Sequence, residues 1–395
     1  MSKIEELIEK LCPDGVDYKS LGELGEFYGG LTGKKKEDFV GGNANFITYI
    51  NVYKNMALNL HDTAKVKIGP NEKQRKLKYL DVVFTGSSET PDECAISSVV
   101  CETPQEDYFL NSFCFVWEIN DKKLFNPHFL KHLFRCETLR RELGRTASGV
   151  TRFNVSKEKM RKIKIPVPPL EVQEEIVKIL DNFTELTAEL TAELTARKQQ
   201  YEFYRDKLLA FEDDKIQWLP LKNISNVTIG EFIHQSLQNP NKPYPVYNGG
   251  ITNTGYYDKY NMTENKIIIS ARGANAGFVN RIYTKYWAGN SCYSINLKDN
   301  RVNFDFLYHF LKNNESSMKN QQQTGSIPAV SKKQVESILI AIPSIQVQER
   351  IVEVLDTFDK ICADLSIGLP AEIEARQKQY EYYRNKLLSF KEKKI

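Results

Sequence analysis

Two long stretches of the chain carry apolar residues at steps of three and four, a spacing that predicts amphipathic or coiled-coil helices. The prolines of segment 166–169 end the preceding strand-like run and set the start of the first helix. We predict one helix over 171–211, about 60 Å long at ~1.5 Å per residue, and a second over 345–390. The Gly-Leu-Pro sequence at 368–370 predicts a break in the second helix, because glycine caps helices and proline cannot continue them.

These two helical segments are repeats of each other. Residues 155–183 match 330–358 at a constant offset of 175, and residues 196–211 match 375–390 at an offset of 179. Two long repeats exclude a solenoid, which stacks three or more short ones. A weaker similarity aligns residues 4–11 with the end of the first helix, so the order of elements closes on itself. We therefore predict a pseudo-two-fold internal repeat in which the two long helices are antiparallel.

The stretches between the helices are rich in Gly, Asn, Tyr and Phe and contain short β-prone runs, as at 46–53 and 266–271. These features predict two mixed α/β globular domains. The predicted fold class is therefore α+β, with the two globular domains joined by two long antiparallel coiled-coil helices. The predicted boundaries are a first domain at 1–165 with an N-terminal helix at 2–12, a first spacer helix at 166–212, a second domain at 213–340 and a second spacer helix at 341–395.

The charge is unevenly divided between these parts. The whole chain of 395 residues has a net charge of +3 at pH 7. Segment 171–212 holds ten acidic and five basic residues, and segment 346–390 holds eight acidic and six basic residues, so the remaining chain carries +10. Basic domains joined by acidic helices indicate nucleic acid at the domains and protein partners at the helices. The alternative is that the surface lysines only keep the domains soluble.

The sequence lacks the common catalytic and cofactor motifs. It contains no phosphate-binding G-x-x-x-x-G-K-[ST], no dinucleotide-binding G-x-G-x-x-G after a strand and no Asn/Asp-Pro-Pro-aromatic loop of an adenine methyltransferase. Asn126 and Asn303 are predicted as helix N-caps. His128, His132 and Cys136 are spaced by four and could form a metal site, but partly buried polar residues on an amphipathic helix are the favoured interpretation. We expect a non-catalytic chain with no catalytic residues, no metal site and no bound cofactor.

The cysteine pattern bears on the compartment. The seven cysteines are odd in number and form no C-x-x-C pair, which fits free thiols in a reducing environment. No uncharged apolar run reaches the ~18–20 residues that a membrane span needs. We expect a cytoplasmic protein that does not bind a membrane.

The repeats carry a resemblance to a known family. Two divergent domains, each followed by a repeated helix, resemble the specificity (S) subunit of type I restriction-modification enzymes. Segments 164–183 and 376–390 are similar to the repeated regions of that family, and the tandem TAEL block at 187–194 resembles its IC subfamily. The resemblance covers the whole chain, and its strength lies in the repeats.

This resemblance implies that the two globular domains are target-recognition domains reading a bipartite site in double-stranded DNA, one half-site each. It implies two modification (adenine methyltransferase) subunits and restriction (endonuclease and translocase) subunits as partners. S-adenosylmethionine, ATP and Mg²⁺ would then be bound by those partners, and the assembled complex would be an adenine-N6 DNA methyltransferase and an ATP-dependent endonuclease. The alternatives are a non-catalytic coiled-coil scaffold, another nucleic-acid-binding protein, or a standalone nuclease or methyltransferase.

Candidate DNA contacts in the first domain fall into four groups, for each of which a solvated surface residue is the alternative. A basic, glycine-bearing loop suited to phosphates contains Thr32, Lys34 and Lys35. A β-like run with alternating polar residues contains Asn45, Tyr49, Asn51 and Lys54. A polar turn after a strand contains Ser87 and Ser88, and two arginines with forks suited to guanine are Arg145 and Arg152.

The same chemistry predicts the candidate contacts of the second domain. They are His234, Gln235, Tyr247, Asn248, Arg272, Asn275 and Gln322. Arg272 is the best of these, since it follows an apolar strand and is flanked by small residues. Subunit docking is predicted at the start of each repeated helix, at Gln173, Glu174, Gln348 and Glu349.

Overall fold

The computed structural model of the chain describes residues 3–212, 216–320, 328–363 and 367–393. Its contacts divide into two compact units: unit 1 comprises residues 1–190 and 373–395, and unit 2 comprises residues 191–372. Each unit therefore combines one globular domain with parts of both helical repeats. Within the described ranges, no helix is long and apolar enough to cross a membrane.

Unit 1 contains twelve strands among its described residues: β1 (Asp17–Ser20), β2 (Gly25–Gly29), β3 (Ala44–Ile47), β4 (Ala64–Val66), β5 (Val82–Thr85), β6 (Ser87–Ser88), β7 (Ser97–Val99), β8 (Tyr108–Leu110), β9 (Cys114–Ile119), β10 (Ala147–Gly149), β11 (Phe153–Val155) and β12 (Lys164–Val167). Its helices are α1 (Lys3–Leu11), α2 (Leu21–Leu24), α3 (Tyr49–Lys54), α4 (Pro127–Leu133), α5 (Glu137–Gly144), α6 (Lys157–Met160) and the long α7 (Leu170–Leu209), which continues into unit 2.

Unit 2 contains the strands β13 (Gln217–Pro220), β14 (Ser225–Ile229), β15 (Tyr244–Tyr247), β16 (Gly255–Tyr257), β17 (Lys266–Ser270), β18 (Val279–Ile282), β19 (Trp287–Ala288), β20 (Cys292–Leu297) and β21 (Leu339–Ile342). Its helices are α8 (Leu221–Ile224), α9 (Phe304–Asn313), α10 (Glu315–Asn320), α11 (Lys332–Glu336) and α12 (Ile345–Ala363). The last helix, α13 (Leu369–Leu387), begins directly after Gly368 and ends in unit 1, so the second helical repeat is divided between α12 and α13.

Three sheets recur in both units, and unit 1 has in addition the three-stranded sheet β10-β11-β6, for which the described residues of unit 2 show an isolated bridge between Arg272 and Ala329. A four-stranded antiparallel sheet has the order β2-β9-β5-β7 in unit 1 and β14-β20-β17-β18 in unit 2. A three-stranded sheet has the order β4-β3-β8 in unit 1 and β16-β15-β19 in unit 2, each with one parallel pair. The strand before each domain pairs with the strand that leads into a repeated helix, as β1-β12 and β13-β21. In each domain, this pairing joins the first strand to the last strand before the repeated helix.

The largest core of each unit lies between its four-stranded sheet and the helices that follow that sheet. In unit 1 the fully buried Trp117 donates from its indole nitrogen to the Leu21 carbonyl at 2.9 Å, and Phe134 packs edge-on against it. In unit 2, Ile295 on β20 takes the strand position of Trp117, and Phe306 on α9 is fully buried in the same core. Each such side chain contributes about 1.5–3 kcal/mol through burial.

The helices after the sheets start at the predicted asparagines. The Asn126 side chain accepts a hydrogen bond from the His128 amide at the start of α4, at 2.9 Å. The Asn303 side chain accepts from the Asp305 amide at the start of α9, also at 2.9 Å. The prediction of paired N-caps is confirmed, and each cap fixes where its helix begins.

In unit 2 the two helical repeats run antiparallel. The Tyr201 ring of α7 packs against Phe358 of α12 with ring centres 5.8 Å apart, and burial together with the neighbouring Asp359 carboxylate raises the pKa of Tyr201. One turn before Tyr201 on α7 lies Lys198, and one turn after Asp359 on α12 lies Cys362. Burial raises the pKa of the Cys362 thiol, and the nearby charge of Lys198 acts to lower it. The chain directions are therefore opposite, as the fold prediction requires.

The end of α13 takes the place in unit 1 that the end of α7 takes in unit 2. Leu388 and its repeat counterpart Leu209 are each buried in the core of their unit. The tail after α13 also bonds to the start of the first domain, since the Val16 amide donates to the Lys391 carbonyl at 2.8 Å. The predicted equivalence of residues 4–11 with the end of α7 is wrong, because the repeat itself fills that position and α1 is an addition to unit 1.

Candidate nucleic-acid interface

An open cleft of about 660 Å³ lies on the surface of unit 1. It lies between α3, the turn after β5 and the connection from β10 to β11, three segments far apart in sequence. Five of the residues predicted from sequence to contact DNA line this cleft, namely Tyr49, Lys54, Ser87, Ser88 and Arg152. The fold therefore brings together members of three separate sequence groups.

One wall of the cleft is aromatic. Thr48 caps α3 by accepting from the Asn51 amide, which places Tyr49 and Tyr53 one turn apart with their rings stacked at 6.3 Å between centroids. The Tyr49 hydroxyl donates to the Ser87 carbonyl at 3.0 Å. Phe113 is exposed on the facing side. Neither Tyr53 nor Phe113 was predicted, because the sequence around Tyr53 on α3 and around Phe113 in a loop does not distinguish an exposed aromatic side chain from a buried one.

Arg152 is exposed but held in one orientation. Its Nε and Nη2 atoms donate to the Ser87 hydroxyl at 3.2 and 3.0 Å, and its guanidinium lies 5.2 Å from the centre of the Phe113 ring. The residue after next, Asn154, pairs with Ser87 in the β11–β6 ladder, which fixes the backbone on both sides of the contact. The arginine is therefore oriented before any ligand arrives.

The charges in the cleft are balanced. Lys54 and Arg152 are opposed by Glu89 and Glu93. The Glu93 carboxylate accepts hydrogen bonds from Tyr53 and Ser88, which lower its pKa and keep it ionised. Such a surface is better suited to the donors and acceptors of base edges than to phosphates, which need a net positive charge.

The predicted phosphate loop is only partly available. The Lys34 side chain is 8% exposed, and its ammonium donates to the Lys67 carbonyl at 2.6 Å and to the Glu72 carboxylate at 2.5 Å. Its hydrogen bond is the main reason that the pKa of Glu72 falls to about 2. The prediction for Lys34 is wrong, since this lysine ties its loop to the neighbouring segment, whereas Thr32 and Lys35 are exposed.

The run from Asn45 to Lys54 is not one strand. Strand β3 ends at Ile47 and α3 follows, so the alternation predicted for these residues is wrong. Asn51 is 1% exposed, and its side-chain amide donates to the Asn59 and Asp62 carbonyls, which excludes it as a surface contact. Asn45 is half-buried and donates to Glu106 at 2.8 Å.

Arg145 lies outside the cleft, exposed at the end of α5. The terminal carbonyls of α5 receive their bonds from backbone amides there. A DNA contact by Arg145 remains a prediction, and this residue is not among those that line the cleft.

In unit 2 two predicted loops adjoin. A side chain at Gly249, whose φ is +80°, would come within 3.0 Å of the Arg272 carbonyl, so the backbones of the two loops are in close approach. Asn248 accepts from the Ser291 amide at 3.1 Å, and Tyr247 packs edge-on against Tyr286. Arg272 is exposed, while Asn248 and Tyr247 are half-buried and brace the loop.

The remaining predictions in unit 2 are more peripheral. His234 is exposed and accepts from the Ser236 amide at the start of a short 3-10 turn that includes Gln235. Asn275 is half-buried in the turn after Arg272. Gln322 lies outside the described residues.

The predicted docking residues divide into two kinds. Gln173 is fully buried: its amide donates to the Leu124 and Pro168 carbonyls, and its oxygen accepts from the Asn126 amide, all at 2.8 Å. Gln348 is also fully buried and makes the equivalent three bonds, to Arg301, Pro343 and Asn303.

The docking prediction is therefore wrong for both glutamines, which fasten each domain to its helix. Glu174 and Glu349, the next residues along, are exposed and available to a partner.

A buried histidine braces each unit in a comparable way. His132 Nε2 lies 2.7 Å from Asp181, and its Nδ1 lies 2.8 Å from the Tyr380 hydroxyl. Burial acts to raise the pKa of Asp181, but hydrogen bonds from His132 and Lys131 bring it to about 2. Both ring nitrogens are used, which leaves this imidazole no lone pair for a metal.

The acidic cluster in unit 2 is bridged by an arginine. His309, Asp356 and Asp359 bring their ligand atoms within 4.8 Å of one another. Arg281 Nη1 lies 2.9 Å from Asp356 Oδ1, and Arg281 Nη2 lies 3.6 Å from Asp359 Oδ2. Arg281 also pairs with Asp305 at 3.0 Å, and His309 Nε2 lies 2.8 Å from Asp356 Oδ1. The single positive charge of the guanidinium offsets part of the negative charge of these carboxylates, and the group joins the domain to α12.

Comparison with known proteins supports a single assignment. A sequence model of the family described as "Type I restriction modification DNA specificity domain" matches residues 13–197 and 214–375. The chain is 34% identical over 268 residues to the EcoR124I/EcoR124II specificity subunit of Escherichia coli, covering 60% of this chain and 65% of that protein. It is 33% identical over 296 residues to a type I restriction enzyme specificity subunit of Haemophilus influenzae, covering 69% and 74%.

Solved structures share the fold. One from a study of assembly and conformational transition of the type I R-M system aligns with a TM-score of 0.64 at 17% identity, covering 95% of this chain and 97% of that chain. The S subunit of M. genitalium aligns with a TM-score of 0.60 at 15% identity, covering 95% and 96%.

Proposed function

The chain belongs to the type I restriction-modification DNA specificity family, and from that premise we propose that it is the sequence-recognition subunit of a type I restriction-modification complex. It reads a bipartite target in double-stranded DNA, with one half-site per unit. The tandem TAEL block resembles that of IC members, which supports an IC-like subunit within this proposal. It works in the cytoplasm with its partner subunits.

The observation that carries this proposal is a duplicated frame with two different surfaces. Three of the sheets, the N-caps and the hydrogen bonds of the buried glutamines recur in both units. The residues around the turn after the central strand do not repeat: unit 1 has an aromatic cleft, and unit 2 has a glycine-rich loop beside Arg272. One architecture that presents two unlike surfaces suits a target with two unlike halves.

The partners supply the chemistry. Two modification subunits methylate adenine with S-adenosylmethionine, and restriction subunits cleave DNA with ATP and Mg²⁺. This chain binds none of those cofactors and has no catalytic residues. The family match weighs against the alternatives of a coiled-coil scaffold and of an unrelated nucleic-acid-binding protein.

Docking of two modification subunits is supported by surfaces that recur once in each unit. Phe203 and Tyr204 on α7 are exposed, with their rings 5.5 Å apart at 74°. Their repeat counterparts Tyr382 and Tyr383 on α13 are exposed to nearly the same extent, with rings 5.2 Å apart at 79°. Exposed aromatic pairs on otherwise charged helices are typical of protein interfaces.

The test is to produce the chain with its modification subunit in cells that lack other adenine methyltransferases, and to map methylated adenines in the genomic DNA. We expect a consensus of two short specific segments separated by an unspecific spacer, and no methylation by the chain alone. A continuous consensus, or methylation by the chain in a preparation free of the partner, would contradict the proposal.

A further inference from the structure

Each unit presents one arginine at the turn after its central strand, by two different routes. Thr85 and Ser270 end β5 and β17, and each pairs with the first residue of the neighbouring strand. Ser87 and Arg272 therefore stand at equivalent backbone positions. The bridge from Arg272 to Ala329 in unit 2 matches the Ser87 pairing in the β6–β11 ladder of unit 1.

The exchange between the units is reciprocal. In unit 1 the turn residue is Ser87, and the arginine comes from the adjacent β10–β11 connection as Arg152. In unit 2 the turn residue is itself Arg272, and the repeat counterpart of Arg152 at the offset of 175 is Ile327, which lies outside the described residues. At this pair of positions, unit 1 therefore has Ser87 and Arg152, and unit 2 has Arg272 and Ile327. Each unit has one arginine and one uncharged residue.

The geometry of Arg152 leaves a defined edge for a ligand. Ser87 Oγ accepts from Nε and Nη2, which are the side edge of the guanidinium. Among the described residues, the structure gives the terminal Nη1–Nη2 edge no protein acceptor. That edge has the two parallel N–H donors that match O6 and N7 of guanine in the major groove.

The surroundings favour a base over a phosphate. Glu89 and Glu93 line the same cleft as Arg152 and repel a phosphate. A carboxylate also accepts from the N4 amino group of cytosine, the partner of guanine in the base pair. The guanidinium lies over the exposed Phe113 ring, 5.2 Å from its centre, and this cation–π attraction helps to hold the arginine in place.

We propose that Arg152 in unit 1 and Arg272 in unit 2 each read a guanine, so that both half-sites contain one. Ser87 is a positioning residue that orients Arg152. In unit 2, Arg272 lies two residues after the end of β17, at the position that corresponds to Ser87. This inference rests on the proposed function, since it assigns bases within the half-sites that function requires.

The test uses the full chain with its modification subunit and maps the methylated consensus for each variant. We expect Arg152→Ala to relax one guanine in one half-site, with discrimination against the other bases falling by about tenfold to hundredfold. The other half-site stays unchanged. Arg272→Ala should give the mirror result, and Arg152→Lys should keep overall methylation while losing most of the discrimination, because a lysine lacks the fork.

Arg141→Ala is the matched control, because Arg141 is an exposed arginine of unit 1 outside the cleft, paired with Glu137. It should leave both half-sites unchanged, and thermal unfolding should confirm that every variant is folded. A folded Arg152→Ala that lowers methylation of all sites equally, with the consensus intact, would show a phosphate contact and overturn the inference. Failure of the proposed function is distinguishable, since the wild-type chain would then give no bipartite consensus at all.

Discussion

The two units differ least where each domain meets its helix and most at the turn after the central strand. Gln173 and Gln348 make the same three hydrogen bonds, and the N-caps before them are the same residue. At the turn, Phe113 of unit 1 corresponds to Ser291 of unit 2. The residue after the central strand donates its backbone amide to the carbonyl of this position in both units, from Gly86 in unit 1 and from Ala271 in unit 2. The buried junction holds each domain on a shared frame, whereas the exposed residues at the turn contribute little to stability and are free to vary between the units.

The largest effect is expected from breaking the common junction. Gln173→Ala leaves two carbonyls and one amide without partners in a buried position, and Gln348→Ala does the same in unit 2. We expect each to destabilise its own unit by about 3 kcal/mol, with nearly equal effects in the two units. Hydrogen exchange of peptides from each unit measures the local free energies of opening.

Lys178→Ala and Glu353→Ala serve as controls for this pair, because they are exposed repeat counterparts on the same helices. They should change stability by less than about 0.5 kcal/mol. A small effect of either glutamine, or a large effect in only one unit, would show that the two junctions are not equivalent.

A second prediction concerns a carboxylate found only in unit 1. Asp81 is buried, with Tyr28 and the Lys78 amide donating to one of its oxygens, and burial raises its pKa to about 6. The folded state therefore binds more protons than the unfolded state between about pH 4 and 6, and its free energy of unfolding falls as the pH rises through that window. Unit 2 has Lys266 at this position.

Asp81→Asn removes the buried charge and keeps an acceptor for both donors. We expect it to stabilise unit 1 relative to wild type by about 1–2 kcal/mol at pH 7 and to have little effect near pH 4. Denaturant unfolding of both proteins at the two pH values gives the difference. If the difference were the same at both, the carboxyl would not be titrating in this range.

Much of the fold followed from the sequence because the repeat is long and its hydrophobic period is clear. The offsets of 175 and 179 predicted two equivalent units, and Asn126 and Asn303 predicted where their helices begin. The role of the C-terminal repeat in unit 1 was missed, since a weak similarity at residues 4–11 suggested another segment for the same position.

The candidate interface was predicted less well, for physical reasons. Lys34 and Asn51 are residue types that commonly contact DNA. Their partners lie elsewhere in the chain, Glu72 at 38 residues after Lys34 and Asp62 at 11 residues after Asn51, so the residues beside them do not indicate that they are occupied. Gln173 and Gln348 repeat because they fasten the domains, and repetition alone does not distinguish a buried polar brace from a docking surface. Arg152 and Ser87 were chosen separately, and only the fold shows that they are in contact.

A smaller effect is expected from the TAEL block, which lies within the continuous helix α7. One added TAEL after Leu194 lengthens the helix by ~6 Å at ~1.5 Å per residue. Because four residues are not a whole heptad, repacking absorbs part of this length. We expect the unspecific spacer to grow by about one base pair with both half-sites unchanged, as read from the methylated consensus. An altered half-site with an unchanged spacer would show that α7 does not set the distance.

The most direct test of the account is to exchange one domain. Residues 13–150 are replaced with the corresponding segment of another family member, which leaves the buried glutamines and the helical repeats in place, and the methylated consensus is mapped with the same modification subunit. The account predicts that one half-site changes to that of the donor and that the other half-site stays the same. A change in both half-sites, or in neither, would contradict the assignment of one half-site to each unit.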